Sequence, residues 1–119
     1  MKLKKLAEAY GPLVKIAAQD MTINNLYRLA KILDGIEADM RFYFRKRDEA
    51  VNEHCEQTEE GFVAREGEGE ILAAKLKELG EVDVDVTALH LPVVIQTTEA
   101  VKMSYNDLKA LEGIIEISE

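Results

Sequence analysis

The sequence predicts an α+β fold, mainly α, in which one long helix is packed by shorter helices and a small β element lies near residues 82–95. Three observations carry this expectation. From Thr22 to about Gln57 the helical pattern is uninterrupted, with apolar side chains at Leu26, Leu29, Leu33, Ile36, Met40 and Tyr43 in steps of three and four. Val82-Asp83-Val84-Asp85-Val86 alternates strictly, as a strand with one buried and one wet face does. Glu70 to Leu79 places Ile71, Leu72, Lys75, Leu76 and Leu79 at helical spacing before the stop signal of Gly80.

Taken in chain order, Leu3, Leu6, Ala7 and Tyr10 form one face of a short opening helix that Gly11-Pro12 is expected to end. Pro12 then suits the first turn of a second short helix carrying Leu13, Val14, Ile16 and Ala17, because a first-turn residue has no use for its missing N–H. Thr22 is an N-cap candidate for the long helix. A second stripe of Ile23, Tyr27, Ala30, Phe44 and Val51 widens its apolar face beyond what one partner covers. At about 1.5 Å per residue such a rod runs to about 50 Å, too long for the rest of the chain to sheathe, so it is expected to seek a second copy.

The stretch from Thr58 to Glu70 holds three glycines and many acids and reads as a loop, with a brief strand at Phe62 to Ala64. Leu89 to Ile95 reads as a second extended piece, which Pro92 confines to an edge or a bulge. Ser104 followed by Asp107, Leu108 and Leu111 reads as an N-cap opening a short terminal helix.

A chain of 119 residues supports one modest core, and residues 1–119 are expected to form a single domain. The hydrophobic share of 47% beside 32% charged residues is that of a folded protein. No apolar run approaches the roughly 20 residues of a membrane span, and no membrane partner is expected. A net charge of −8 argues against duplex nucleic acid, whose binders take most of their affinity from a basic surface. Met1-Lys2-Leu3-Lys4-Lys5-Leu6 has the charge of an export signal but no continuous apolar core after it. With Cys55 as the single cysteine, the expected location is the cytoplasm.

The densest chemical feature is Arg41-Phe42-Tyr43-Phe44-Arg45-Lys46-Arg47, cations interleaved with aromatics. Arg41 and Arg45 share a helix face. Guanidinium forks grip phosphate oxygens bidentately while a ring such as Tyr43 or Tyr27 stacks on a base, so Arg41, Tyr43, Arg45 and Arg47 are ligand-binding candidates. The structural alternative has Tyr43 and Phe44 facing the core, with the cation stems lying over it and pairing with Asp39, Asp48, Glu49 or the acidic loop. A second candidate cluster is Asn24, Asn25, Tyr27 and Arg28 beside the helix N-terminus, a position that attracts anions, with Asn24, Tyr27 and Arg28 as its ligand-binding candidates; its alternative is capping plus exposure.

His54 next to Cys55 supplies neither zinc ligands in number nor the orienting geometry of nucleophilic catalysis. The acidic loop lacks the ligand spacing of a calcium site. No glycine-rich phosphate loop, Gly-x-Ser-x-Gly or His-Glu-x-x-His occurs, so neither catalytic residues, metal nor cofactor is expected.

The order of elements resembles that of small uncharacterised proteins encoded by phages and prophages of Gram-positive bacteria. The resemblance is carried by Leu13-Val14-Lys15-Ile16-Ala17, by Asn25 to Leu33, by Ile36-Glu37-Ala38-Asp39, and by Ser104-Tyr105-Asn106-Asp107-Leu108-Lys109-Ala110-Leu111. It implies a viral setting in the host cytoplasm and no particular activity. The resulting expectation is a non-enzymatic homo-oligomeric binding protein, an inhibitor of host defence that sequesters a phosphorylated nucleotide signal or a host protein. The alternative is a virion assembly factor or chaperone acting through the long helix.

Overall fold

The computed structural model describes residues 1–118. Its elements in order are α1 (Leu3–Ala17), α2 (Ile23–His54), β1 (Cys55–Thr58), β2 (Gly61–Ala64), α3 (Gly69–Gly80), a 3₁₀ turn at Thr87–Leu89, β3 (Val93–Gln96), α4 (Tyr105–Ala110) and β4 (Ile115–Ser118). The fold is α+β and mainly α, with one long helix and two small sheets. β1 and β2 form an antiparallel hairpin, whereas β3 and β4 run parallel, Val93 opposite Ile115 and Ile95 opposite Ile117.

α1 overturns the expected break at Gly11-Pro12, since Pro12 lies inside one continuous helix. Leu3, Leu6, Ala9, Leu13 and Ile16 are all buried, and only an unbroken helix keeps the five on one face. Their burial outweighs the roughly 3 kcal/mol that an interior proline costs. α2 opens as expected, with the Thr22 hydroxyl accepting from the Asn25 amide at 3.3 Å. It closes three residues early, at His54. Beyond that point Glu56, Gln57 and Thr58 have nothing apolar to bury as helix, while pairing with Val63, Phe62 and Gly61 satisfies their backbone.

The buried stripe of α2 is Leu29, Ile32, Ile36 and Met40, whereas Leu26, Leu33 and Tyr43 are half-buried flanks. These four meet the α1 stripe, and Val93, Ile95, Leu111, Ile114 and Ile115 close the cluster from the sheet side. The second stripe divides. Phe44 and Val51 are half-buried, but Ile23 is 84% exposed, Tyr27 is 60% exposed and Ala30 is exposed.

Val82–Val86 is extended but is not a strand. Its ladder reaches only the start of the chain, with Val84 donating to the Met1 carbonyl at 2.8 Å and accepting from the Met1 ammonium at 3.0 Å, and Leu3, the first residue of α1, donating to the Val82 carbonyl at 2.8 Å. Once α1 begins, its amides turn inward along its own axis and the ladder has no further rung. The alternation sets the faces from Asp83 onward, with Val84 and Val86 packed against the core and Asp83 and Asp85 exposed, whereas Val82 is itself 45% exposed. The second extended piece also starts later than expected, because a 3₁₀ turn occupies Thr87–Leu89 and Pro92 directly precedes β3. Ser104 and Asp107 form a full capping box on α4. The radius of gyration is 16.9 Å, against about 13.5 Å for a compact chain of this length, and the molecule extends 53 Å along its longest axis.

Candidate functional site

The helix register decides which cations and aromatics of the Arg41–Arg47 segment meet. Arg41 and Arg45 stand one turn apart, and Phe44 and Met40 lie beside them toward α1. Tyr10 of α1 completes a cleft of about 510 Å³ lined by Tyr10, Glu37, Met40, Arg41, Phe44 and Arg45. The Tyr10 and Phe44 rings meet edge to face, their centroids 6.1 Å apart, and form an aromatic floor. This ring contact depends on α1 continuing through Pro12, which fixes Tyr10 against α2. Tyr10 was legible in the sequence only as part of the first helix's apolar face.

Tyr43 and Arg47 lie outside the cleft. Tyr43 packs on Phe44 with centroids 5.4 Å apart, and the Arg47 guanidinium stands 4.8 Å from the Phe44 centroid while bonding Asp48 at 3.1 Å. Two of the four candidate residues are thus gathered and two are set apart. Arg41 reaches Glu37 at 3.6 Å, and Lys46 reaches Glu49 at 3.1 Å. Arg45 rests over the Phe42 ring at 6.0 Å and makes no ion pair among the described residues.

The second cluster lies in the first turns of α2. Tyr27, Arg28 and Lys31 line a cavity of about 270 Å³ with Ala88, Leu89 and His90. Arg28 donates to the His90 carbonyl at 2.8 Å, bracing the turn that leads into β3. Asn24 is exposed and outside this cavity, and its neighbour Asn25 is the buried one. The anion drawn to the α2 N-terminus is the chain's own Glu99. The Thr22 amide donates to Glu99 at 2.9 Å, and the Asn25 side-chain amide donates to it at 2.8 Å. The bond from the Thr22 backbone is the main reason this carboxyl sits below the ordinary range, with bonds from Gln96 and Asn25 adding to it.

Elsewhere the displaced carboxyls are also structural. Glu53 is held low by the Lys75 ammonium, Asp85 by Thr87, and Asp107 by Lys15 and then by Ser104. His54 is buried, with Nδ1 at 3.2 Å from Glu68 and Nε2 without a hydrogen-bond partner. Cys55 is buried beside it. No group of three or more metal-ligating side chains converges among the described residues. A cavity of about 530 Å³ between α4 and β4 is lined chiefly by Tyr105, Leu108, Ile115 and Ile117 and holds none of the candidate residues.

No family model, characterised protein or solved structure matches this chain. The functional reading therefore rests on its own side chains. No helix is long and apolar enough to cross a membrane among the described residues.

Proposed function

We propose that this is a non-enzymatic, self-associating binding protein that sequesters a small phosphorylated ligand in the cleft between α1 and α2. In the viral setting implied by the order of elements, that ligand is a nucleotide signal of host defence. The observation that carries the reading is the placement of Arg41 and Arg45 one turn apart above the Tyr10–Phe44 floor. Two guanidinium groups offer forked donors to a phosphate, and the rings offer a face for a base. A volume of about 510 Å³ falls in the range of small-ligand sites, roughly 300–1,000 Å³. Arg41 must leave Glu37, but an exposed pair at 3.6 Å is weak and a phosphate competes well for it.

Titration calorimetry against cyclic and ADP-ribose-like nucleotides tests this. Heat is expected at low salt, weakening as salt rises, and is expected to vanish in the Arg41→Ala/Arg45→Ala variant with its helical circular dichroism signal retained. Absence of heat from the parent protein across the panel refutes the cleft. The second reading, an assembly factor or chaperone, is favoured by the exposure of Ile23 and Tyr27 on the same face of a helix 32 residues long.

A further inference from the structure

α2 carries a second regular pattern on the side away from the core. Tyr27, Lys31, Asp34, Ala38, Arg41, Arg45, Asp48 and Asn52 follow one another in alternating steps of four and three, and every one of them is exposed. They form one seam along the solvent face of the helix, and the order of its charges rather than its spacing carries the information, since a pairing heptad would need apolar residues there. Phe42, 41% exposed, flanks its centre, and Ile23 extends it at the N-terminal end. Of the seam's five charges, Arg41 reaches Glu37 and Asp48 is held by Arg47, both in exposed pairs, and the other three are unpaired among the described residues. Lys31 rests over Tyr27, Arg45 rests over Phe42, and neither they nor Asp34 form an ion pair among the described residues.

The order of these charges selects a partner and a direction. Laid antiparallel on itself about a point between Asp39 and Met40, the seam sets Lys31 against Asp48, Asp34 against Arg45, Ala38 against Arg41, and Tyr27 against Asn52. A two-fold axis repeats each contact, so four opposite-charge contacts form at once. The small Ala38 also leaves room for Phe42 of the other chain, the small-against-large fit that lets helices approach closely. Parallel pairing does the reverse, stacking Lys31, Asp34, Arg41 and Arg45 each on its own copy. We propose that the occupant of this face is a second copy of the chain, bound antiparallel along α2 as a closed two-fold dimer.

This inference gives a geometry to the self-association in the proposed function and does not depend on the ligand cleft. Arg41 and Arg45 are common to both sites, and Arg45 cannot grip a phosphate while it pairs with Asp34 of a second copy. The dimer is therefore the ligand-free form.

Sedimentation equilibrium without added nucleotide, at about 50 mM salt, tests the pairing. A mass of twice 13.4 kDa is expected. Arg45→Glu and Asp34→Arg each place like charges together twice and should weaken the dimer about tenfold or more. The same-chain double variant Asp34→Arg/Arg45→Glu should restore affinity to within about threefold of the parent. Asp34 and Arg45 lie about 16 Å apart along the helix and cannot meet within one chain, so rescue reports the partner. A spin label at Tyr27→Cys should lie about 40 Å from its copy, since positions 27 and 52 are about 37 Å apart along α2. A monomeric parent, a double variant as weak as the single ones, or a label separation under about 20 Å each overturns the proposal. Asp34 does not line the cleft, so a monomeric mass with nucleotide heat intact sinks the dimer alone.

Discussion

Replacing Pro12 with alanine should stabilise this protein, although Pro12 sits among the residues that hold α1 to the core. The ring has no N–H to give the Glu8 carbonyl four residues earlier and crowds that carbonyl, a penalty of roughly 3 kcal/mol in a helix interior. Pro12→Ala removes the penalty and loses two half-buried ring carbons, about 0.8 kcal/mol between them. The net gain is about 2 kcal/mol. A chain of 119 residues has an unfolding entropy near 250 cal/mol/K at its midpoint, so each kcal/mol moves the melting temperature by about 4 °C. Circular dichroism melts of parent and variant should therefore differ by about 8 °C, with helical signal equal or slightly greater in the variant. A broken helix predicts the opposite, because a proline opening a second helix is favourable there and alanine would forfeit its preset backbone angle. An unchanged or lower melting temperature refutes the continuous helix and, with it, the placement of Tyr10 in the cleft.

Ile32→Ala, at a position 1% exposed between α1 and the β3–β4 sheet, should cost about 2–5 kcal/mol in urea unfolding, and a loss under 1 kcal/mol would misplace the buried stripe. Met40→Asp should prevent folding or nearly so, since it buries a carboxylate with no partner; wild-type melting would contradict the α1–α2 packing. Acid should destabilise the fold through Asp107. Its carboxyl is lowered from 3.8 by the Lys15 bond first and by Ser104 second, so the stabilisation is present above the unfolded value and lost as pH falls through the folded one. The melting temperature should drop between pH 5 and about pH 2, and Lys15→Ala should shallow that drop; an identical slope in the variant removes the Lys15–Asp107 link from the account.

How much was legible in the sequence follows the range of the forces involved. The caps at Thr22 and Ser104, the end of α3 at Gly80 and the inward faces of Val84 and Val86 depend on neighbours within a few residues, and the residue types alone announce them. The rod of α2 was equally plain, because a 32-residue periodicity has no competing local structure. Of the candidate site, the sequence supplied Arg41 and Arg45 as a same-face pair. It did not supply Tyr10, and it grouped Tyr43 and Arg47 with them by nearness in the chain, where the helix turns both aside.

Tertiary structure decided the rest wherever distant segments compete for the same backbone or the same charge. Pro12 stays helical because burying Leu13 and Ile16 on the stripe of Leu3 and Leu6 outweighs one missing hydrogen bond. Val82–Val86 stops short of being a strand because only Met1 and Lys2 are free to pair with it. β4 emerges because Val93 and Ile95 need a neighbour; the alternation of Ile115, Glu116, Ile117 and Ser118 marks an extended segment, but not the distant strand it pairs with. The N-terminus of α2, open on paper to any anion, is filled by Glu99, 74 residues beyond the Asn25 that binds it. Local chemistry sets which shapes each segment will accept, and the shared core sets which of them it adopts.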